Sequence, residues 1–206
     1  MKNTRTPIAL AAAFLACTAG TALAQAQQPT SFTGLGVGIS VASSQNKLDF
    51  SPAAAAPFEG TDSAADLIAS YGFNMGSQWV GTVGMALGLK STSFGTYVGT
   101  GSNSYATTKQ HIALSFAPGL RVGDAGLVYG KLAFHQISVN YTSTLNFDDT
   151  KTHTGTGLGV GYAYAVSPQL ELRGEVEAVT YGAQAVGTTN SSPKQTSFAL
   201  GLLYKF

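Results

Sequence analysis

The stretch Leu170-Glu171-Leu172-Arg173-Gly174-Glu175-Val176-Glu177-Ala178 alternates without a break. Leu170, Leu172, Val176 and Ala178 fall on one parity, and Glu171, Arg173, Glu175 and Glu177 fall on the other. A period of two is the strand period, and alternate side chains of a strand point to opposite faces. This segment therefore predicts a strand with one apolar face and one charged face. The same division recurs along the chain. Segment 35–42 sets Leu35, Val37, Ile39 and Val41 against Gly36, Gly38, Ser40 and Ala42. Segments 66–75, 80–90, 111–121, 128–135, 157–166 and 198–206 follow the same rule, which makes eight strands. In 128–135 the phase slips beyond His135, where Ile137, Val139 and Tyr141 carry the other parity. A bulge near His135, or exit from a membrane, accounts for that slip.

Nine charged residues fall within these strands: Asp66, Lys90, Arg121, Lys131, Glu171, Arg173, Glu175, Glu177 and Lys205. All share the parity of the small and polar residues. A Lys or Arg facing lipid at mid-depth costs about 2–4 kcal/mol, whereas one facing a barrel lumen finds a partner. The pattern is apolar outside and charged inside. A soluble eight-stranded barrel or a β-sandwich would show the reverse. The expected fold is an all-β, eight-stranded, antiparallel, up-and-down transmembrane β-barrel.

The connections agree. Residues 76–78, 123–126 and 167–169 read as tight turns, while 43–63, 91–107, 142–153 and 181–195 read as longer polar loops. Short turns at one rim and long loops at the other describe an outer-membrane barrel. Tyr71, Phe73, Trp79, Tyr162, Tyr164, Tyr204 and Phe206 gather near the short-turn rim, the depth that amphipathic rings prefer. An eight-stranded bore has room for side chains and little more. Asp66, Lys90, Arg121, Lys131, Glu171, Arg173, Glu175 and Glu177 are therefore expected to form an internal ion-pair network that fills it.

Composition excludes several classes. Only 10% of the 206 residues are charged and 25 are Gly; a soluble domain carries roughly 25% charge. No basic patch exists for a nucleic acid. The start of the chain has Lys2 and Arg5, the apolar run Ile8 to Ala16, and the small-x-small pattern Ala22-Leu23-Ala24. This predicts a signal peptide over 1–24 and a barrel domain over 25–206. Cys17, in a lipobox-like Phe14-Leu15-Ala16-Cys17, is the single cysteine and leaves with that leader. The remaining chain then holds nine Lys and Arg against ten Asp and Glu, with no thiol chemistry.

The ending Phe198-Ala199-Leu200-Gly201-Leu202-Leu203-Tyr204-Lys205-Phe206 resembles the terminal signature of bacterial outer-membrane barrels. The signature is a final Phe, an aromatic two residues before it, and alternating apolar residues such as Phe198, Leu200 and Leu202. The 154–166 segment and the following 170–176 strand are similar to the penultimate hairpin of OmpA-like and opacity-type small barrels. The resemblance spans 32–206. It implies integral outer-membrane residence, reading of the last strand by the barrel-assembly machinery, and contact with outer-membrane lipids and lipopolysaccharide. It also implies a structural or adhesive role through the loops, with host surface molecules as partners. The chain as given ends at the barrel, so the peptidoglycan tether of longer OmpA-like proteins is not expected. A narrow OmpW-like channel and a lipid A-modifying enzyme are the alternative readings.

Catalytic signals are thin. A Ser/His/acid set needs a His within reach of a nucleophile and an orienting acid. His111, His135 and His153 read as lumen or loop histidines, with Ser138 near His135 and Asp148 and Asp149 near His153. Three scattered histidines do not make a metal site, and the glycine runs are strand glycines rather than a phosphate loop. No cofactor is expected. The loops hold Lys47, Asp49, Phe50, Phe58 and an Ala run at 53–56, then Phe94, Tyr97 and Tyr105. Exposed aromatics there suit adhesion.

Overall fold

The structure is a computed structural model that describes residues 32–51, 58–99, 102–187 and 189–206. The leader expected over 1–24, and the Ala run at 53–56, lie outside them. The described chain is all antiparallel β. Its strands are β1 (Gly34–Ser51), β2 (Phe58–Asn74), β3 (Trp79–Gly88), β4 (Ser93–Gly99), β5 (Ser102–Val122), β6 (Gly126–Ser143), β7 (Phe147–Ala165), β8 (Leu170–Tyr181), β9 (Gln184–Val186) and β10 (Thr189–Lys205).

Each long strand pairs with its neighbours in chain order, and β1 pairs with β10 from Gly36↔Lys205 to Ser51↔Asn190. That last ladder closes the sheet into a barrel and removes its edges. β4 continues the line of β3 beside β5, and the short β9 follows β8 beside β10. The ten segments therefore build eight staves, as the alternation predicted. The turns at 75–78, 123–125 and 166–169 are short, as expected.

Strand length differs from the expectation. The segments read as long polar loops are largely continuous strand: β1 runs to Ser51, β2 starts at Phe58, β5 starts at Ser102 and β6 runs to Ser143. Thr144, Leu145 and Asn146 suffice to turn β6 into β7, with Asn146 at a φ of 61°. Ser, Thr and Asn read as loop formers, yet Thr is a good strand residue. Its hydroxyl is at home on the watered face of a sheet.

The phase slip after His135 is not a bulge. The β6–β7 register runs without interruption from Gly126↔Tyr164 to Ser143↔Phe147. Leu127, Tyr129, Ala133, His135, Ile137, Val139 and Tyr141 all face inward and are buried. What changes is the medium outside. On β1 the outward side chains pass from Leu35, Val37, Ile39 and Val41 to Ser43, Gln45 and Lys47, while inward Gly36 and Ser40 give way to Leu48. On β8, inward Glu175 and Glu177 are followed by inward Val179 and Tyr181. The barrel thus has two storeys. The lower is apolar outside and polar within. The upper is polar outside and encloses a hydrophobic cluster that includes Leu48, Phe58, Phe94, Ile137, Val139 and Val186.

One bulge does serve that upper cluster. The β4–β5 register shifts between Ser93 and Gly95, and Phe94 turns its ring inward to 1% exposure. Gly95 accepts the required φ of 109°, and a Cβ there would meet Glu59 O at 2.7 Å. A second bulge, between Thr108 and Gln110, lets β5 hold inward Thr108 and inward His111 in one strand. Pro118 breaks no register; its neighbours pair on either side, Phe116↔Leu132 and Gly119↔Tyr129.

The inversion makes neighbouring positions on β6 behave oppositely. Ile137→Asp places a charge in the upper cluster and is expected to abolish refolding or to lower stability strongly. Ser138→Asp, one residue away and facing water, is expected to stay within about 0.5 kcal/mol of the parent. Urea unfolding in lipid vesicles, followed by Trp79 fluorescence, compares the two.

Candidate functional site

Two places carry chemistry-bearing side chains: the lower lumen and the storey above it. In the lumen, β8 lines up Glu171, Arg173, Glu175 and Glu177 along one inward edge. β6 faces them with Lys131 and His135, and β5 and β2 complete the ring with His111 and Asp66. The glycines of β7 make the space. A Cβ on Gly157 would meet Glu177 Oε1 at 2.4 Å, and one on Gly161 would meet the Tyr129 ring at 2.4 Å.

The Lys131 ammonium binds Glu175, and lies 3.0 Å from Glu177 Oε2. Glu175 also accepts from Tyr129 Oη at 3.1 Å. Glu177 Oε1 is 2.9 Å from His135 Nε2, His135 Nδ1 is 3.0 Å from His111 Nε2, and His111 Nδ1 is 3.0 Å from Asp66 Oδ1. A second group lies towards the turn rim. There Arg173 binds Glu171 and reaches Ser70 Oγ at 3.3 Å. Lys205 donates to Gly34 O at 3.3 Å, and its ammonium is 3.8 Å from Glu171, near enough to attract but too far to hydrogen-bond.

Six of the eight charged residues predicted to share the lumen are in these two groups: Asp66, Lys131, Glu171, Arg173, Glu175 and Glu177. Lys90 and Arg121 are not. Lys90 is half-exposed just beyond β3, where it borders the lumen cavity but donates to Asp62 Oδ1 at 3.1 Å and to Ser63 Oγ at 2.8 Å. Arg121 sits at the turn rim and donates to Asn74 Oδ1 at 2.7 Å. The sequence reading allowed His111 and His135 a place in the lumen but did not include them, or Lys205, in the ion-pair network. Parity alone would have included all three, since His111, His135 and Lys205 share the inward phase of the acids.

The lumen holds a cavity of about 140 Å³, bordered among others by Asp66, His111, Lys131, Arg173 and Glu175. Thr108 Oγ1 and Tyr181 Oη border it without a protein hydrogen-bond partner. That volume has room for a few waters, each of which needs polar partners of this kind. Above lies the Leu48–Phe94–Val139 cluster; below lies a second one of Phe32, Val80, Ala117, Leu127, Tyr129 and Ala163.

In the upper storey, His153 is fully buried. Its Nδ1 donates to Gly182 O at 2.9 Å, which leaves Nε2 to accept from Tyr141 Oη at 2.8 Å; Ser191 Oγ is 2.9 Å from the same phenol. Burial holds the imidazole below its ordinary range and so keeps it neutral. Asp148 and Asp149, its sequence neighbours, bind Asn140 and Lys151 instead. Asp62 holds the seam between β2 and β4 by accepting from Ser93 N at 2.8 Å. That hydrogen bond, then Lys90, keeps its carboxyl below the usual carboxylate range. Among the described residues no group of His, Cys, Asp and Glu is arranged to hold a metal ion.

On the outside, Tyr71, Phe73, Trp79, Tyr162, Tyr164, Tyr204 and Phe206 are all exposed. They stand next to the short turns, and Tyr204 and Phe206 meet edge to face at 5.2 Å. Phe198, Leu200, Leu202, Tyr204 and Phe206 form the outward face of β10, whose backbone is already engaged by β1 and β8.

Comparison with known families decides the wider identity. The family model of the outer membrane protein β-barrel domain matches residues 9–206. The chain belongs to that family. It is accordingly an integral outer-membrane protein. The attachment invasion locus protein Ail of Yersinia pestis, solved with the heparin analogue sucrose octasulfate, has a similar fold. It is 14% identical with a TM-score of 0.51, over 84% of this chain and 100% of that one. Neisserial surface protein A is 16% identical with a TM-score of 0.46, over 82% of this chain and 97% of that one. Comparison with curated protein sequences returns no match. Family membership fixes the direction of the barrel: the short turns are periplasmic and the upper storey is extracellular.

Two tests follow from this geometry. Lys131→Met leaves Glu175 and Glu177 facing each other, and is expected to cost about 3–5 kcal/mol in vesicle-based urea unfolding. At the Asp62 seam the sign is that of a depressed acid. The stabilisation is full above the ordinary carboxylate pKa and is lost as pH falls through the lower folded value. Asp62→Asn should therefore flatten the acid limb of the stability–pH curve.

Proposed function

We propose that this protein is a non-conducting, non-enzymatic outer-membrane barrel that presents its extracellular storey as a rigid contact surface. The observation that carries this reading is the inversion of polarity above the lipid belt. Strands that continue into water around their own hydrophobic cluster form a stiff platform, not a fringe of loops. Its outer face is set with Ser43, Gln45, Lys47, Glu59, Lys194 and Thr196 around the β1 seam, where Lys47 pairs across from Lys194. Lys47 lies 3.4 Å from Glu59, and Lys194 lies 3.0 Å from Asp49. Such a mixed polar face suits sugars and host surface molecules. Ail, in the complex named above, takes a sulfated sugar; the likeness to this chain supports the fold and only motivates the choice of probe.

The lumen groups support the non-conducting part. Their ion pairs reach inside the bore from β6 over the glycines of β7 to β8, with an apolar cluster above and below. The rival reading, a narrow OmpW-like channel for small or hydrophobic solutes, requires a continuous path. The non-enzymatic part is supported by the histidines: each is bound by hydrogen bonds within the barrel, and His135 and His153 are buried. A lipid A-modifying enzyme needs a reactive group reachable from lipid. Residues 1–24 are proposed as the leader, the outward face of β10 as the mark read by the assembly machinery, and lipopolysaccharide and outer-membrane lipids as what surrounds the belt.

Single-channel recording of the refolded protein in planar bilayers is expected to be silent; a steady conductance overturns the closed-lumen reading. Cells carrying the protein should be retained on heparin-coated surfaces more than cells without it. Lys47→Glu with Lys194→Glu should remove the difference. Equal retention with and without the protein rejects contact with sulfated sugars. An unchanged lipid A mass spectrum on expression is expected, and a changed one restores the enzyme reading.

A further inference from the structure

We propose that the lumen is a proton-binding site, in which His111 and His135 together hold one proton more than two neutral imidazoles. The argument begins with hydrogen-bond counting. Asp66 and Glu177 are acceptors when ionised, so His111 donates through Nδ1–H and His135 through Nε2–H. The two remaining ring nitrogens, His111 Nε2 and His135 Nδ1, are 3.0 Å apart. With both bare, two lone pairs would face each other at hydrogen-bond distance. With both protonated, two N–H groups would. One proton between them makes the contact a hydrogen bond.

Ring geometry agrees. The two planes are 6° apart and the centroids 5.3 Å apart. The excess over the nitrogen–nitrogen distance is what one ring radius at each end contributes. The imidazoles therefore point nitrogen at nitrogen in a common plane instead of lying face to face, and each lone pair lies along the line to the other ring.

Charge counting reaches the same number independently. The carboxylates facing the lumen are Asp66 from β2 and Glu171, Glu175 and Glu177 from β8. The cations paired with them are Lys131 from β6, Arg173 from β8 and Lys205 from β10. Tyr129 and Tyr181 are neutral phenols, and β1, β3 and β7 bring no charged side chain to this level. Lys90 also borders the cavity but is matched by Asp62, and Arg121 lies outside it in an exposed contact with Asn74 at the turn rim, where water screens its charge. The set is one positive charge short, and the shared proton supplies it. Glu177, Glu171, His135 and Lys205 are all less than one-tenth exposed, so an unbalanced charge among them would be costly. The same proton ties β2, β5, β6 and β8 together across the bore.

Nitrogen-15 NMR of the histidine-labelled protein in lipid nanodiscs at neutral pH reads the count directly. The expectation is three protonated ring nitrogens over His111 and His135, with a nitrogen–nitrogen coupling across the shared proton. Two protonated nitrogens, or four, overturn the proposal. Glu175→Gln removes a carboxylate without touching the histidine chain, and should drop the count to two. Asp66→Asn should do the same. A count that stays at three in both folded variants overturns the charge-balance argument. The parent spectrum alone decides the proton itself, whether or not either variant folds.

Discussion

A backbone in hydrocarbon must find all its hydrogen bonds within itself. For a sheet that means closure, and the β1–β10 ladder is where this barrel meets the requirement. Everything else follows from closure. Once the sheet is a cylinder, each side chain has one of two surroundings, chosen by the parity of its position. A one-residue slip would send every charged group of β8 into lipid. The register is thus enforced by charge as much as by hydrogen bonding.

The same constraint explains why parity and surroundings part company halfway up. Parity is a property of the strand and continues through the whole of β6. Polarity answers to the solvent, which changes from lipid to water at the outer leaflet. Ile137, Val139 and Tyr141 looked like a phase slip because a single rule, apolar outward, was applied to both media. Read with the medium allowed to change, those residues mark the membrane boundary on β6. Val179 and Tyr181 mark it on β8, and Leu48 marks it on β1.

The fold class was legible because its evidence is local and repeated: eight alternating segments, and charges confined to one phase. Strand length was not, since Ser, Thr and Asn serve equally in a watered strand face and in a loop. The lumen acids and their cations could be named from parity, but their partners could not. Which group meets which depends on the stagger between staves. Glu177 meets His135 through the stagger of β6, β7 and β8, although it lies opposite Gly159 and Ser197 in its ladders. Lys90 pairs with Asp62 instead of with the lumen acids, and Asp62 falls in a stretch that reads as a loop. The glycines of β7 read as strand glycines, yet the particular groups they admit, Tyr129 at Gly161 and the His135–Glu177 contact at Gly157, belong to other strands.

The lumen and the upper storey depend on each other. Ion pairs are a weak source of stability where they are buried, because desolvation offsets most of the attraction. They are tolerated in the lower storey because the large apolar side chains there are mostly turned to lipid, and the inward face at mid-lumen carries polar or small ones, with hydrocarbon returning inward only in the Phe32–Leu127 cluster at the turn rim. The upper storey has no such restriction and packs hydrocarbon inward, as a soluble domain does. Stability of the extracellular half therefore comes from burial, and specificity of the membrane half from matched charge. A barrel built this way can vary its watered surface freely, from Ser43 to Lys47 and around to Lys194, without touching either source.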